Sequence, residues 1–346
     1  MTDITAQLQE QVLIARTTEQ PLNIVGANTK SGLGRISKGQ TLSVREHQGV
    51  ISYSPSELVI RVRAGTTISC INHVLAEQNQ RLIFEPPVFN EQATMGGTLA
   101  ANQSGPCRPW FGGVRDSVLG LGLINGLGEH MQFGGQVMKN VAGFDVSRSQ
   151  VGAMGTLGVI TDVSLKVLPA FESEVTMALN CPVHEALHLM PRYFREHLPV
   201  TGVSFWQGQL LVRLQGSQAG VDSAMKSIPG EPMEPLLATQ WWHKLRECQV
   251  FESSQSQVLW RHNLGATDQQ DMCHDDCLLN WGGAQRWQLL PEGEEATNGA
   301  IRYLGGSREA EVNGPVNSVA RKLQGKLKMA FDPQSIFNPG RLYSWM

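Results

Sequence analysis

The chain has 346 residues, a length that suits two folded cores better than one. Hydrophobic residues make up 41% and charged residues 17%, which excludes disorder as the main state. A formal net charge of −3, with no long basic run, argues against nucleic-acid binding. The first ten residues do not form a signal peptide, and no apolar stretch approaches the roughly 20 residues that span a bilayer. We therefore expect a cytoplasmic protein with no transmembrane segment.

The N-terminal third alternates helices with short strands. Apolar residues at three-to-four spacing predict the first helix, and three strands follow it. Thr66 or Thr67 can then cap a second helix that carries Ile68, Ile71 and Leu75 on one face. The elements predicted before this cap are a helix over 3–19 and strands over 21–25, 41–45 and 58–64.

Glycine is concentrated in the middle of the N-terminal half. Of 36 glycines, 15 fall between Gly96 and Gly158. Because glycine costs about 0.5–1 kcal/mol inside an element relative to Ala, this density predicts turns rather than helices or regular strands. A strand over 159–167 follows, with Val159, Val163 and Val167 on one face and polar residues on the other. Such a one-sided strand indicates an antiparallel sheet.

Composition changes after Pro169, which predicts a domain boundary. The following order of strands and helices favours a ferredoxin-like antiparallel sheet, with a hairpin at Gln207-Gly208. A last helix is predicted after Pro315, and the apolar residues on its one face are Val316, Val319, Leu323, Leu327 and Ala330. The elements predicted here are strands over 175–180, 200–206 and 209–215, helices over 184–197, 217–228 and 235–248, and loops over 264–276 and 291–314.

Three glycine-bearing turns in the first domain suit a long anionic ligand. The loop Gly26–Gly32 directly follows a strand, and its small residues allow backbone N–H groups to converge as a phosphate-binding nest. Its spacing matches neither the Walker pattern nor G-x-G-x-x-G, and an ordinary tight turn is the alternative. Thr94–Gly97 and Gly155–Gly158 are the other two turns, where glycine lets backbone approach phosphates closely.

Other motifs leave alternatives open. Asn338-Pro-Gly-Arg341 is either a helix stop or a tail that folds back to touch a ligand. Cys273 and Cys277, with His274 between them, do not have zinc or iron–sulfur spacing, so no metal is predicted. Arg261 lies in a tryptophan-rich region that is either core or a receptor for a carboxylate or a partner.

These stretches together resemble the vanillyl-alcohol-oxidase-type, or PCMH-type, FAD-binding fold, over about 10–170 and again over 326–341. Narrower motifs at 108–116, 137–145 and 281–287 resemble the FAD-binding E subunit of bacterial glycolate oxidase. The resemblance implies an α+β protein with a two-subdomain FAD-binding domain, a smaller ferredoxin-like cap and a C-terminal tail that returns to the FAD domain. The expected domains are 1–170 with subdomains of about 1–80 and 81–170, a cap over 171–315, and a tail over 316–346.

The resemblance also implies how FAD is held. The pyrophosphate would lie on loop 26–31 and the Thr94–Gly97 turn, the adenine and ribose near 158–160, and the isoalloxazine near the C-terminal tail. Loop 26–32 contains no histidine, so non-covalent FAD is expected. The cofactor residues implied are Gly26, Ala27, Asn28, Thr29, Lys30, Ser31, Thr94, Gly96, Gly97, Gly155, Gly158, Val159, Ile160, Asn338 and Arg341.

The family's activity is the oxidation of glycolate to glyoxylate in a complex. The resemblance implies a flavoprotein D subunit and an iron–sulfur F subunit as partners, with contact to the inner face of the membrane through them. Catalytic relatives carry a histidine motif where this chain has Tyr303–Glu311, which contains no histidine. Removing a hydride from a 2-hydroxy acid needs a base for the hydroxyl proton, so we expect a relay or supporting role for this chain.

Two alternatives to the relay role remain. One is a self-sufficient dehydrogenase of another 2-hydroxy acid, and the other is a scaffold that has lost its flavin. The side chains that the first alternative would use are Arg261 or Arg286 for the substrate carboxylate and His243, His262 or His274 as base.

Overall fold

The computed structural model describes residues 2–135, 145–251, 257–264, 277–294 and 300–346. Helices and strands are mixed, and the larger sheets are antiparallel, which confirms the α+β class. The helices are α1 Thr5–Thr17, α2 Ile68–Ala76, α3 Met95–Ala100, α4 Arg108–Phe111, α5 Val114–Ser117, α6 Val146–Ser149, α7 Val183–Leu189, α8 Arg192–Arg195, α9 Gln218–Met225, α10 Pro235–Arg246 and α11 Ser318–Phe331. The strands are β1 Leu22–Val25, β2 Gln40–Ser43, β3 Val50–Ser54, β4 Val59–Arg63, β5 Gln80–Leu82, β6 Val118–Ile124, β7 His130–Gly134, β8 Val159–Pro169, β9 Ser173–Asn180, β10 Val200–Trp206, β11 Gln209–Gly216, β12 Glu231–Pro232, β13 Gln257–Asn263, β14 Leu278–Asn280, β15 Gln285–Pro291 and β16 Ala300–Leu304.

The chain forms two compact units. The first comprises Met1–Gln103, Val114–Leu168 and Ser307–Met346, and the second comprises Ser104–Gly113 and Pro169–Gly306. The short segment Ser104–Gly113 thus belongs to the second unit although it lies inside the sequence of the first. A prediction that divides the chain into consecutive stretches cannot assign such an internal segment to the other unit.

The first unit contains an antiparallel sheet in the order β3-β4-β8-β6-β7, with β5 pairing to β8, and a separate parallel pair, β1 and β2. Strand β8 is buried on both faces as far as Leu165, so the prediction of a one-sided strand is wrong. Its polar residue Asp162 tolerates burial because Arg61 donates to its carboxylate at 2.7 Å. Gln132 donates to the same carboxylate at 3.1 Å.

Strand β6 carries two glycines inside a regular buried strand, contrary to the expectation from glycine density. A Cβ added at Gly120 would lie 2.7 Å from the Phe133 carbonyl oxygen, and one added at Gly122 would overlap the Asp162 carboxylate. Neighbouring backbone and a buried ion pair therefore leave no room for side chains. The glycines in this strand serve packing.

Helix boundaries in the first unit follow local capping. Helix α1 buries Leu8, Val12 and Ala15 at the predicted spacing. The Thr67 hydroxyl accepts from the Cys70 N–H at 3.2 Å at the start of α2, which confirms the predicted cap.

Helix α11 buries a charged residue. Val319 and Leu323, two residues of the predicted apolar face, are 67% and 61% exposed. Leu327 of that face and Phe331 are partly buried and pack against a core cluster of the first unit. Lys328 is the buried residue of this helix, with 5% of its side chain exposed, and it forms an ion pair with Asp332.

The second unit is built on one antiparallel sheet in the order β12-β9-β11-β10-β14-β15-β13-β16. Its first part follows the β-α-β-β-α-β order expected for a ferredoxin-like fold. Gln207 and Gly208 have φ of 47° and 79°, as a two-residue hairpin between β10 and β11 requires. The loop predicted at 291–314 contains the strand β16, which pairs with β13, so that prediction is wrong in this part.

Candidate cofactor site

A cleft in the first unit brings together segments that are far apart in the sequence. It encloses about 850 Å³, including space open to solvent. A smaller extension shares Gly26, Gly97 and Asn338 with it. The predicted cofactor residues that line the cleft or its extension are Gly26, Ala27, Asn28, Thr29, Lys30, Ser31, Thr94, Gly96, Gly97, Gly155, Gly158, Ile160, Asn338 and Arg341.

The loop 26–31 follows β1 directly and retains unused donors. The backbone N–H groups of residues 26–29 donate no hydrogen bond within the described part of the chain. Asn28 has a φ of 58°, and its carbonyl accepts from the Ser31 N–H at 3.2 Å, which closes a turn. Consecutive free amides around a left-handed residue form a concavity that binds anions. The loop therefore fits the phosphates of a dinucleotide.

The next wall of the cleft begins at Thr94, which packs against Gly26 of loop 26–31. A Cβ added at Gly26 would overlap the Thr94 hydroxyl, so glycine is required where the two turns meet. The same hydroxyl faces the Gly97 N–H at 3.4 Å and caps α3. Close approach of the two turns thus narrows the cleft at this point.

The amides after Thr94 differ from those of loop 26–31, because they are already bonded. The Met95 N–H donates to the Thr66 carbonyl at 2.8 Å, and the Gly96 N–H donates to the Ala64 carbonyl at 2.8 Å. A Cβ at Gly96 would lie 2.8 Å from the Ala64 Cβ. These two amides are therefore already bonded within the chain, and the turn forms a wall of the cleft. The contact of this turn with the pyrophosphate, which the resemblance implies, stays a prediction.

The segment 154–160 forms the extension of the cleft. Gly155 has a φ of 72°, and an added Cβ would lie 2.6 Å from Asn338 Nδ2. A Cβ at Gly158 would lie 2.8 Å from Leu123 Cδ1, so this glycine packs against β6. The side chain of Val159 is buried in the core, so the contact expected of this residue with the adenine and ribose would involve its backbone. Successive strand residues face opposite sides, so Ile160 reaches the extension and Val159 does not.

Asn338 joins the C-terminal tail to two walls of the cleft. Its Oδ1 accepts from the Ile24 N–H at 2.7 Å, and its Nδ2 donates to the Met154 carbonyl at 2.7 Å. Its backbone N–H donates to the Leu22 carbonyl at 2.9 Å, which continues the β1 side of the cleft. One amide side chain thus ties β1 to the segment 154–160.

A buried ion pair positions this tail. Lys328 Nζ donates to Asp332 Oδ2 at 2.7 Å, to the Thr156 carbonyl at 2.7 Å and to the Phe337 carbonyl at 3.0 Å. The Asp332 carboxylate in turn accepts from the N–H groups of Ile336 and Phe337 at 3.1 and 2.8 Å. Burial lowers the pKa of Lys328, and the Asp332 charge opposes that shift. The pair therefore fixes the residue that precedes Asn338.

Arg341 holds loop 26–31 and the residues after it through backbone carbonyl groups. Its guanidinium donates to the carbonyls of Arg35, Lys30 and Ser31 at 3.1, 3.3 and 3.3 Å. Burial, followed by the nearby charge of Arg308, lowers the pKa of Arg341 to about 10. It stays charged at neutral pH and adds positive potential to the cleft.

Arg308 also lines the cleft, and the sequence did not identify it. It lies in Tyr303–Glu311, the region noted for its lack of histidine, while its partners lie at 33–35. No local motif connects residues so distant in the chain, so periodicity and spacing give no signal for this contact.

The suggested catalytic side chains lie in the second unit and are mostly buried. Arg261 stacks on Trp287 and Tyr303, with 5.9 and 5.4 Å from its guanidinium carbon to the ring centroids. His262 and Arg286 face each other across β13 and β15 and are 2% and 1% exposed. Burial and the Arg286 charge lower the pKa of His262, which keeps it neutral. Arg261 and His262 are consecutive in a strand, so they point to opposite faces and do not form one cluster.

The remaining candidates are not brought to a site. His243 is exposed on α10. His274 and Cys273 lie outside the described residues. Within the described ranges, no helix has both the length and the apolar character needed to cross a membrane.

The fold and the cleft define a FAD-binding protein. A family model described as "FAD binding domain" matches residues 3–134, and FAD is accordingly the cofactor of this chain. A solved structure of alkyldihydroxyacetonephosphate synthase superposes with a TM-score of 0.70, covering 96% of this chain and 74% of that one. The two are 14% identical, so this likeness shows a shared fold.

The comparison with curated relatives is more specific. The chain is 39% identical to glycolate oxidase subunit GlcE of Escherichia coli K12, over 99% of this chain and 98% of that protein. It is 24% identical to D-lactate dehydrogenase of Anaerostipes hadrus, over 60% of this chain and 44% of that enzyme. Glycolate oxidase subunit GlcD of Bacillus subtilis is 28% identical, over 44% and 32%. The chain belongs to the family of glycolate oxidase subunit GlcE.

Proposed function

We propose that this chain is the FAD-binding subunit of a glycolate oxidase complex that oxidises glycolate to glyoxylate. The similarity to GlcE over nearly the full length of both chains carries this proposal. The chain would relay electrons, or support a sister flavoprotein that takes the hydride. Bound FAD supplies hydride and electron transfer, while the protein supplies binding and orientation.

The cleft's own residues support non-covalent FAD. The free amides of 26–29 would receive the diphosphate, and Asn338 would hold the adjoining walls at a fixed distance. The described residues that line the cleft and its extension include no histidine or cysteine that could bond to a flavin. Precipitation of the holoprotein with acid should therefore release all the yellow colour into the supernatant.

The charges of the cleft favour a relay over a complete catalytic site. Its charged lining residues, within the described part of the chain, are Lys30, Arg308 and Arg341. These cations suit anion binding, but none is a neutral base for the hydroxyl proton of a 2-hydroxy acid. A sister subunit with such a base would complete the reaction.

The partners follow from the same family relationship. We propose a sister flavoprotein, the D subunit, and an iron–sulfur F subunit that passes electrons onward. The complex would work in the cytoplasm, associated with the inner face of the membrane through these partners.

The test is the visible spectrum of the purified chain, followed by anaerobic mixing with glycolate. We expect a flavin band near ~450 nm that glycolate bleaches only after the sister subunit is added. Rapid bleaching by glycolate, or by another 2-hydroxy acid, with this chain alone would contradict the relay role. Failure to take up FAD would favour the scaffold alternative.

A further inference from the structure

Arg308 is held in place by the backbone carbonyls of residues 33–35, which follow loop 26–31. Its Nε donates to the Gly34 carbonyl at 3.0 Å, and its Nη2 donates to the carbonyls of Leu33 and Arg35, both at 3.3 Å. Its own carbonyl accepts from the Ile36 N–H at 3.1 Å. The guanidinium therefore has a fixed orientation before any ligand arrives.

These contacts leave part of the guanidinium unused. The group has five N–H donors, and the three hydrogen bonds occupy only Nε and Nη2. Nη1 donates no hydrogen bond to any described residue. The buried side-chain N and O atoms that lack a partner within the described residues do not include Nη1. Since Arg308 lines the cleft, Nη1 is a preorganised donor available to a ligand there.

The charge of Arg308 also has no counter-ion among the residues that the structure describes. Neither Arg308 nor Arg341 forms an ion pair within the described residues, whereas Arg35 lies 3.9 Å from the Glu311 carboxylate. The described lining contains no carboxylate at all. Two guanidiniums thus place two positive charges beside the free amides of loop 26–31. With Lys30, the described lining carries three cations, so its positive charge suits a diphosphate diester, which carries two negative charges.

We propose that Arg308 is an anion-binding residue of the cleft that donates from Nη1 to the diphosphate of FAD, with Arg341 contributing the second charge. This rests on the FAD-binding role proposed above. Arg308 adds to the cleft a charge-assisted donor with a fixed orientation, which the neutral backbone amides of residues 26–29 do not provide.

The test compares Arg308→Gln and Arg308→Lys in FAD titrations of the apoprotein. A hydrogen bond to a charged group contributes enough to predict a rise in Kd of about 10- to 100-fold for Arg308→Gln. Arg308→Lys keeps the charge but has three N–H donors instead of five, too few for the three carbonyl contacts and a ligand together, so its Kd should lie between those of wild type and Arg308→Gln. The dependence of Kd on salt should also become shallower in Arg308→Gln, because one cation is lost.

Arg16→Gln is the matched control. Arg16 is an exposed arginine of the same unit whose Nη1 contacts the Leu127 carbonyl at 3.4 Å, outside the cleft. Its FAD affinity should equal that of wild type. Urea unfolding of each apoprotein reports any change in folding separately from binding.

Two results would overturn the proposal. Equal losses of affinity in Arg308→Gln and Arg308→Lys, with an unchanged salt dependence, would mean that Arg308 only holds the loop. No loss in Arg308→Gln would mean that it does not contact the ligand. Neither result depends on glycolate, so failure of the proposed oxidation with the sister subunit is a separate outcome.

Discussion

Replacing Lys328 with Met should both destabilise the first unit and weaken the binding of FAD. The substitution keeps most of the side-chain volume but removes three donated hydrogen bonds and leaves the Asp332 carboxylate, which is 0% exposed, without its cation. Breaking one partner of a buried pair costs about 3–5 kcal/mol. FAD affinity should fall as well. The substitution removes the contact that holds the carbonyl of Phe337, and Phe337 is the residue immediately before Asn338.

Urea unfolding followed by tryptophan fluorescence gives the free energy, and FAD titration gives the affinity. Lys326→Met is the control, because Lys326 lies in the same helix with its side chain exposed. That variant should stay within about 0.5 kcal/mol of wild type. If Lys328→Met loses less than about 1 kcal/mol, the ion pair does not hold the tail in the way described.

Substitutions at three further positions test separate features of the first unit. Gly325→Ala should stabilise the chain by about 0.5–1 kcal/mol in urea unfolding, because an added Cβ meets nothing within 4 Å in the middle of α11. Asn338→Ala should lower the free energy of unfolding by about 1–3 kcal/mol in the same assay, because two side-chain hydrogen bonds are lost. Asn338→Asp should bind FAD more weakly than Asn338→Ala does, because a carboxylate repels the diphosphate. Burial lowers the pKa of His47, so the unfolded chain binds this proton more readily, and stability should rise with pH up to about 6.5. His47→Asn can still accept from the Ile4 N–H, and the difference in urea midpoint between pH 5.5 and 7.5 should shrink; an unchanged difference would refute this assignment.

The sequence could predict features whose causes are local. The hydrophobic spacing of α1 predicts its buried residues, and Thr67 next to an apolar helical pattern predicts the start of α2. A turn-forming pair, Gln207-Gly208, predicts the hairpin between β10 and β11. In each case the residues that determine the structure are neighbours in the chain.

Features that depend on distant contacts could not be predicted in this way. Val319 and Leu323 repeat at helical spacing but are exposed, whereas Lys328 of the same helix is buried through its contacts with Thr156 and Asp332. The strand β16 lies in a polar stretch and forms because β13 offers it an edge. Spacing along one segment contains no information about either partner.

The candidate cofactor site shows the same division. A small-residue loop after a strand indicates a phosphate nest, and the amides of 26–29 agree with that interpretation. High glycine content does not indicate ligand contact by itself, since Gly120 and Gly122 make room for a neighbouring carbonyl and a carboxylate. What distinguishes the two kinds of glycine is whether the surrounding amides are already bonded. The sequence alone does not give that bonding.

Two of the three charges of the cleft come from a different part of the chain than its free amides. Loop 26–31 supplies those amides and Lys30, whereas Arg308 and Arg341 lie in the C-terminal segment after the second unit. Anion binding therefore requires that this segment be docked, and its docking depends on Lys328 and Asn338. Variants of Lys328 should for this reason weaken the salt-dependent part of FAD affinity along with stability. A variant that lost stability but kept the wild-type salt dependence of Kd would show that the two guanidiniums reach the cleft independently of the ion pair between Lys328 and Asp332.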